Sequence, residues 1–196
     1  MTRIGRQMPH FEEIDLNSIS AEFSADRKYR YVLTAHYRNS LLRSDANEQI
    51  AVVLKNPSSA DAFKSDATIR KVETFVHKHF EKAKTLVILN IFALRATDAS
   101  DVQQCFLQYG YDYITGDENN QYIAKVLKQS DAIICAWGGN SGIDKTVYNK
   151  RIAEVKSLLK SCGTKCYEVK SPAATNEPLH GLMWGYNYEC VLFTLY

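Results

Sequence analysis

The sequence predicts an α/β protein, a three-layer α/β/α sandwich around a mostly parallel central sheet. Three observations carry that prediction. Runs at 49–54, 85–90 and 132–137 are apolar almost throughout, as strands covered on both faces are. Segments with apolar residues at helical spacing separate them, which implies parallel crossovers. Each run also ends abruptly in a polar cluster, the first of them Asn56-Pro57-Ser58-Ser59.

Taken in order, residues 1–28 are polar and without a period, and are read as an N-terminal arm on a single domain covering 29–196. Residues 29–37 (YRYVLTAHY) alternate as a strand does. A polar connection at 41–48 containing Asn47 predicts a hairpin into the strand at 49–54. A helix follows over 66–80, capped by Asp66 or Ser65, with Ile69, Val72, Val76 and Phe80 on one face. After a charged turn comes the strand TLVILN at 85–90. A helix over 98–109 opens at Asp98 or Ser100 and stops at Gly110. The helix over 117–129 starts with acids and carries Lys125 and Lys128 near its end, matching the helix dipole. The strand at 132–137 runs into a glycine-rich turn at 138–142. A helix over 146–161 turns Ile152, Val155, Leu158 and Leu159 inward before Gly163. A strand at 165–169, a long loop at 171–182 and a last apolar strand at 188–196, suited to a sheet edge, complete the chain.

Composition narrows the function classes. With 24 basic and 22 acidic residues the net charge is +2, too little for a broad grip on long duplex nucleic acid. No apolar run nears the roughly 20 residues that span a bilayer, and the first residues lack a signal-peptide apolar region. A cytoplasmic protein with no membrane partner is expected. The 5 cysteines, an odd number, are expected to be reduced thiols. His77 and His79 face different sides of their helix, His10 and His36 have no partner spacing, and Cys162 and Cys166 stand apart from other ligands. No metal and no cofactor is expected. Nothing in the sequence sets the oligomeric state.

Parallel strands bring their carboxyl ends to one rim, where open α/β folds bind ligands. The polar clusters after the four strands therefore become neighbours: 56–61, 90–98, 137–140 and 171–180. Their residue types suit a small planar or phosphorylated ligand. Asn56 and Asn90 offer amides for a base edge. Phe92 and Trp137 offer stacking faces. Arg95 offers a fork for phosphate or carboxylate. Gly138 and its turn expose backbone N–H groups. Asp61, Asp66 and Asp98 are the candidate general bases. No P-loop and no dinucleotide fingerprint is present. Each residue also has a plainer role: Asn56-Pro57 as a turn, Asp61 and Asp66 as caps, Trp137 as core, Arg95 with Asp98 as an internal ion pair, and His180 as a structural histidine.

At these same clusters the chain resembles the family catalogued as domain of unknown function 1643. The resemblance covers roughly residues 29–180. It rests on Arg30-Tyr31-Val32-Leu33, Leu54-Lys55-Asn56-Pro57-Ser58-Ser59-Ala60-Asp61-Ala62 and Asp66-Ala67-Thr68-Ile69-Arg70. It continues through Asn90-Ile91-Phe92-Ala93-Leu94-Arg95-Ala96-Thr97-Asp98, Gly116-Asp117-Glu118-Asn119-Asn120 and Ala136-Trp137-Gly138. These motifs add Ser58, Ser59, Thr68, Arg70, Thr97 and Asn119 to the residues expected at the site. Two departures stand out. Lys55 replaces the family's leucine and Ser59 its threonine. The late His-Pro-Leu-Tyr motif reads Glu177-Pro178-Leu179-His180, so a role for its first histidine does not carry over, although Pro178 and His180 stay among the site candidates.

More distantly, the order of these segments is similar to that in the uracil-DNA glycosylase superfamily, also three-layer α/β/α domains. That likeness implies Asp61 or Asp66 activating water, Asn90 reading a base edge and Phe92 stacking. The expectation is a protein that binds, and if an enzyme hydrolyses, a nucleotide or nucleobase-containing small molecule. The alternatives are a non-catalytic protein that sequesters a nucleotide signal, or a nucleic-acid base-excision enzyme.

Overall fold

The computed structural model describes residues 7–39, 43–58, 65–96, 98–170 and 177–195. Its strands are β1 (Gln7–Met8), β2 (Ile14–Phe23), β3 (Arg30–Tyr37), β4 (Glu48–Leu54), β5 (Ser65–Asp66), β6 (Ala83–Asn90), β7 (Ala132–Cys135), β8 (Cys166–Val169) and β9 (Cys190–Leu192). Its helices are α1 (Ala67–His79), α2 (Ala99–Tyr109), α3 (Tyr111–Thr115), α4 (Asn119–Gln129) and α5 (Lys145–Cys162). Seven strands form one sheet in the order β2-β3-β6-β4-β7-β8-β9. The central four, β6, β4, β7 and β8, run parallel, while β2, β3 and β9 pair antiparallel at the flanks.

Strand β4 shows why helices cover both faces. Ile50, Val52 and Leu54 pack with Ile69, Val72, Phe75 and Val76 of α1. Ala51 and Val53 point the other way, as the two-residue period of a strand requires, and join a core built from α2 to α5. Local chemistry starts and stops these helices. The Asp66 carboxylate accepts from the Ile69 N–H at 2.8 Å and opens α1, whose last turn carries His77, Lys78 and His79. The Asp144 carboxylate accepts from Thr146 and Val147 at 2.9 and 3.1 Å and opens α5. Gly163, at φ 72°, closes α5 in the left-handed conformation.

Two expectations are corrected. The predicted hairpin does not form: β6 lies between β3 and β4, so these two strands do not pair with each other. Residues 14–23 are also a regular strand, β2, antiparallel to β3 at the sheet edge. Its pattern hid it. Only Ile14 is fully buried along the strand, and the register shifts between Asp15 and Ser20, which breaks the alternation.

The connectivity positions the site. From β4 the chain passes through α1 on one face to β6. It then returns across β4 through α2, α3 and α4 on the other face to β7, and continues through α5 to β8. At the carboxyl ends of the adjacent strands β4 and β7 the chain therefore departs to opposite faces. That reversal opens a crevice in the layer above the sheet.

Candidate functional site: the crevice above β4 and β7

The chain leaving β4 is stitched to the chain leaving β6. Ile91 and Phe92 donate their N–H groups to the Leu54 and Lys55 carbonyls at 2.8 and 2.9 Å, and Ala96 donates to Pro57 at 3.0 Å. The Asn56 side-chain amide adds a bond to the Ala96 carbonyl at 3.0 Å. Ser58 donates its hydroxyl to Asp66, whose other oxygen caps α1. The wall after β7 is built by close backbone approach. Gly138 has φ 69° and donates its N–H to the Pro178 carbonyl at 3.0 Å. A Cβ on Gly138 would lie 2.8 Å from the His180 Cβ, so only glycine lets the 177–183 segment close on this strand end. Trp184, buried against Phe75 and donating to the Leu179 carbonyl at 2.9 Å, anchors that segment.

Two cavities result. The first, of 440 Å³, is lined by residues that include Arg30, Lys55, Asn56, Ser58, Thr68 and Ser141. The second, of 700 Å³, is lined among others by Lys145, Tyr148, Asn149, Glu177, Pro178 and Leu179. Gly138, Gly139, His180 and Met183 line both, so the two meet along the Gly138–His180 wall.

The electrostatics centre on Lys55. It is only 8% exposed, yet no carboxylate pairs with it among the described residues. Its ammonium donates one long hydrogen bond, 3.4 Å, to the Ser141 carbonyl and lies 5.9 Å from the centre of the Tyr148 ring. Burial lowers its pKa from the ordinary lysine value. Burial first, and then the Lys55 charge, hold His180 down at about 4, with Asp66 pulling the other way. His180 is therefore neutral at pH 7. Its Nδ1 accepts from the Leu182 N–H at 3.2 Å, which leaves the ring proton on Nε2.

A family-wide sequence model, described as a protein of unknown function (DUF1643), matches residues 30–182. The chain belongs to the DUF1643 family. No curated protein and no solved structure gives a significant match. The matched span runs from the first residue of β3 into the turn at 181–183, and it contains every cavity-lining residue named above except Met183. Among the described residues of this DUF1643 chain, no group of three His, Cys, Asp or Glu is placed to hold a metal ion. No helix among them is long and apolar enough to cross a membrane.

Of the residues singled out in the sequence, the DUF1643 crevice gathers Asn56, Ser58, Asp66, Thr68, Asp98, Gly138 and His180 in the first cavity and Pro178 in the second. The others lie elsewhere. Phe92 and Trp137 are fully buried and line neither cavity, so they are packing groups rather than stacking faces; the Trp137 indole donates to Glu177 at 3.2 Å. Asn90 is fully buried beside Leu54 in register, and its side-chain nitrogen and oxygen make no hydrogen bond among the described residues. Asn119 is a brace, donating to the Asn90 and Ile91 carbonyls at 3.1 Å each. Arg70 turns away to the N-terminal segment, donating to the Pro9 carbonyl at 3.1 Å, to the His10 carbonyl and to Glu12 at 3.1 Å. Arg95 donates to the Arg27 carbonyl at 3.2 Å and sits over the Phe23 ring. Ser59, Asp61 and Thr97 lie outside the described residues.

Lys55, Arg30 and Glu177 enter the sequence reading only as motif positions and not as site candidates. For Lys55 a signal existed: it closes an apolar strand with no acid anywhere between residues 49 and 60.

Proposed function

We propose that the crevice binds a nucleotide or a similar small molecule that joins a phosphate to a base. One observation carries this reading: Lys55 is a buried cation for which the described fold supplies no carboxylate. Burying an uncompensated ammonium costs several kcal/mol, on the order of the penalties known for unpaired interior charges. A bound anion offsets that cost. The location at the reversal of strand order and the two adjoining cavities, of 440 and 700 Å³, support it.

The reading is one of holding rather than turnover. Both oxygens of Asp66 are engaged, by the Ile69 N–H and the Ser58 hydroxyl. Asp98 is exposed at the head of α2 in a capping box: its carboxylate accepts from the Asp101 N–H, and its own N–H donates to the Asp101 carboxylate at 3.3 Å. Neither is placed as an unencumbered general base. The finer assignment to a uracil-DNA-glycosylase-like fold, and with it base excision, draws on the order of the segments and is the competing arm of the test.

Thermal shift and calorimetry with nucleoside mono-, di- and triphosphates, free nucleosides and uracil-containing DNA test the proposal. A nucleotide at one hundred times its Kd adds about 2.7 kcal/mol to stability. Lys55→Met is expected to weaken nucleotide binding at least about tenfold, a change of roughly 1.4 kcal/mol, and to leave nucleoside binding unchanged. Nucleotide recovered intact after long incubation supports holding, and appearance of product shows hydrolysis. Release of uracil from DNA, with no nucleotide stabilising the protein, replaces this reading by the base-excision one.

A further inference from the structure

Resting on the nucleotide reading, we infer that the second cavity is a base subsite that selects a base bearing an exocyclic amino group, and that Glu177 makes the selection.

Each cavity is lined by both signs of charge, Arg30, Lys55, Asp66 and Asp98 in the first and Lys145 and Glu177 in the second, but the groups left with spare hydrogen-bonding capacity differ. In the first stands the buried Lys55 ammonium. In the second stands the Glu177 carboxylate, whose Oε2 accepts the Trp137 indole N–H at 3.2 Å. Among the described residues Glu177 makes no other hydrogen bond and no ion pair. Lys145 lines the same cavity from the exposed start of α5, and it too forms no ion pair with Glu177. A carboxylate has about four lone-pair sites, and the indole takes one, so Glu177 retains capacity for hydrogen-bond donors.

A ligand filling both cavities thus meets a cation at one end and an acceptor at the other. Its phosphate end belongs with Lys55 and its base end with Glu177. His180 lines both cavities and has an Nε2–H with no hydrogen-bond partner among the described residues, so it can donate to the sugar or phosphate oxygens between them. Pro178, Leu179 and Met183 supply the apolar surface that a flat ring requires.

The chemistry of the bases then decides. Cytosine and adenine present an amino group that donates to a carboxylate. Uracil and hypoxanthine place a carbonyl oxygen at the same ring position, and its lone pairs face those of the carboxylate. The indole hydrogen bond pins Glu177 in place, so it does not swing away to avoid the clash.

The test is calorimetry on the full chain with cytidine against uridine 5′-monophosphate, and with adenosine against inosine 5′-monophosphate. Each pair exchanges an amino group for a carbonyl. Wild type is expected to favour the amino member by at least about tenfold. Glu177→Gln is expected to bring the pair within about threefold, by weakening the amino member and tightening the carbonyl member, because an amide presents both a donor and an acceptor. The glutamine oxygen still accepts from Trp137, and an unchanged Tm without ligand verifies that the fold is intact. Equal binding of both members to wild type, or a preference that survives Glu177→Gln, overturns the base subsite and leaves the nucleotide reading standing. Failure of these four and of the nucleoside di- and triphosphates to bind overturns both.

Discussion

Arg151 on α5 and Lys55 at the end of β4 are both buried cations, and the chain accounts for them differently. The Arg151 guanidinium is fully buried. It donates to the Ile91 carbonyl and, at 2.7 Å each, to Asn120 and Glu154. Glu154 in turn accepts from the Tyr111 hydroxyl at 2.7 Å. That network ties the end of β6 to α3, α4 and α5. Lys55 has one carbonyl at 3.4 Å. Burial alone therefore does not mark a functional charge. The Arg151 charge is spent on holding the elements together, whereas the Lys55 charge is left to face a cavity.

The contrast can be broken by measurement. Arg151→Met is expected to have the largest effect, about 3 kcal/mol or more lost in urea denaturation, because it removes the buried donor that joins Ile91, Asn120 and Glu154 and leaves the Ile91 carbonyl only Asn119 and Glu154 only Tyr111. A loss below about 1 kcal/mol would show that the network does not hold the elements.

The next effect is a pH dependence from His180. Its folded pKa, about 4, lies below the ordinary 6.5, so the unfolded chain binds more protons between those values. Stability from this group is fully present above pH 6.5 and is lost as pH falls through 4, on the order of 3 kcal/mol in total. Denaturation curves at pH 4.5 and pH 7 should converge in His180→Asn relative to wild type. An equal pH slope in both proteins would remove His180 from the account. Lys55→Met should also raise the His180 pKa, read by NMR titration, since Lys55 helps hold it down.

The smallest expected effect is on the stability of Lys55→Met itself. Without ligand it should be more stable than wild type, by about 1–2 kcal/mol, because an uncompensated buried charge is replaced by an apolar chain of similar length. A loss comparable to that of Arg151→Met would show that Lys55 is structural and would end the contrast.

Much of this was legible in the sequence where the cause is local. The apolar runs became β4, β6 and β7, and Asp66 caps α1 as its position suggested. The polar clusters after the strands do meet: Asn56, Gly138 and His180 line one cavity. The failures share a different cause. Phe92 and Trp137 carry rings suited to stacking, but whether a ring at a strand end faces a cavity or the core depends on the helices packed over it, and α2 to α5 enclose both. Strand β2 is an edge strand with one fully buried residue, so it lacked the alternation that betrays a strand covered on one face.

By itself the sequence determined the α/β class, the helix caps, the DUF1643 membership and the segments that form the rim. These follow from periodicity, side-chain chemistry and motifs within a few residues of one another. Only the tertiary structure decided that β6 separates β3 from β4, that Lys55 is enclosed without a carboxylate among the described residues, and that Glu177 lines a second cavity together with Tyr148 and Lys145. Strand order and charge pairing depend on which distant segments meet, and a side chain's role depends on the partners those meetings provide or withhold.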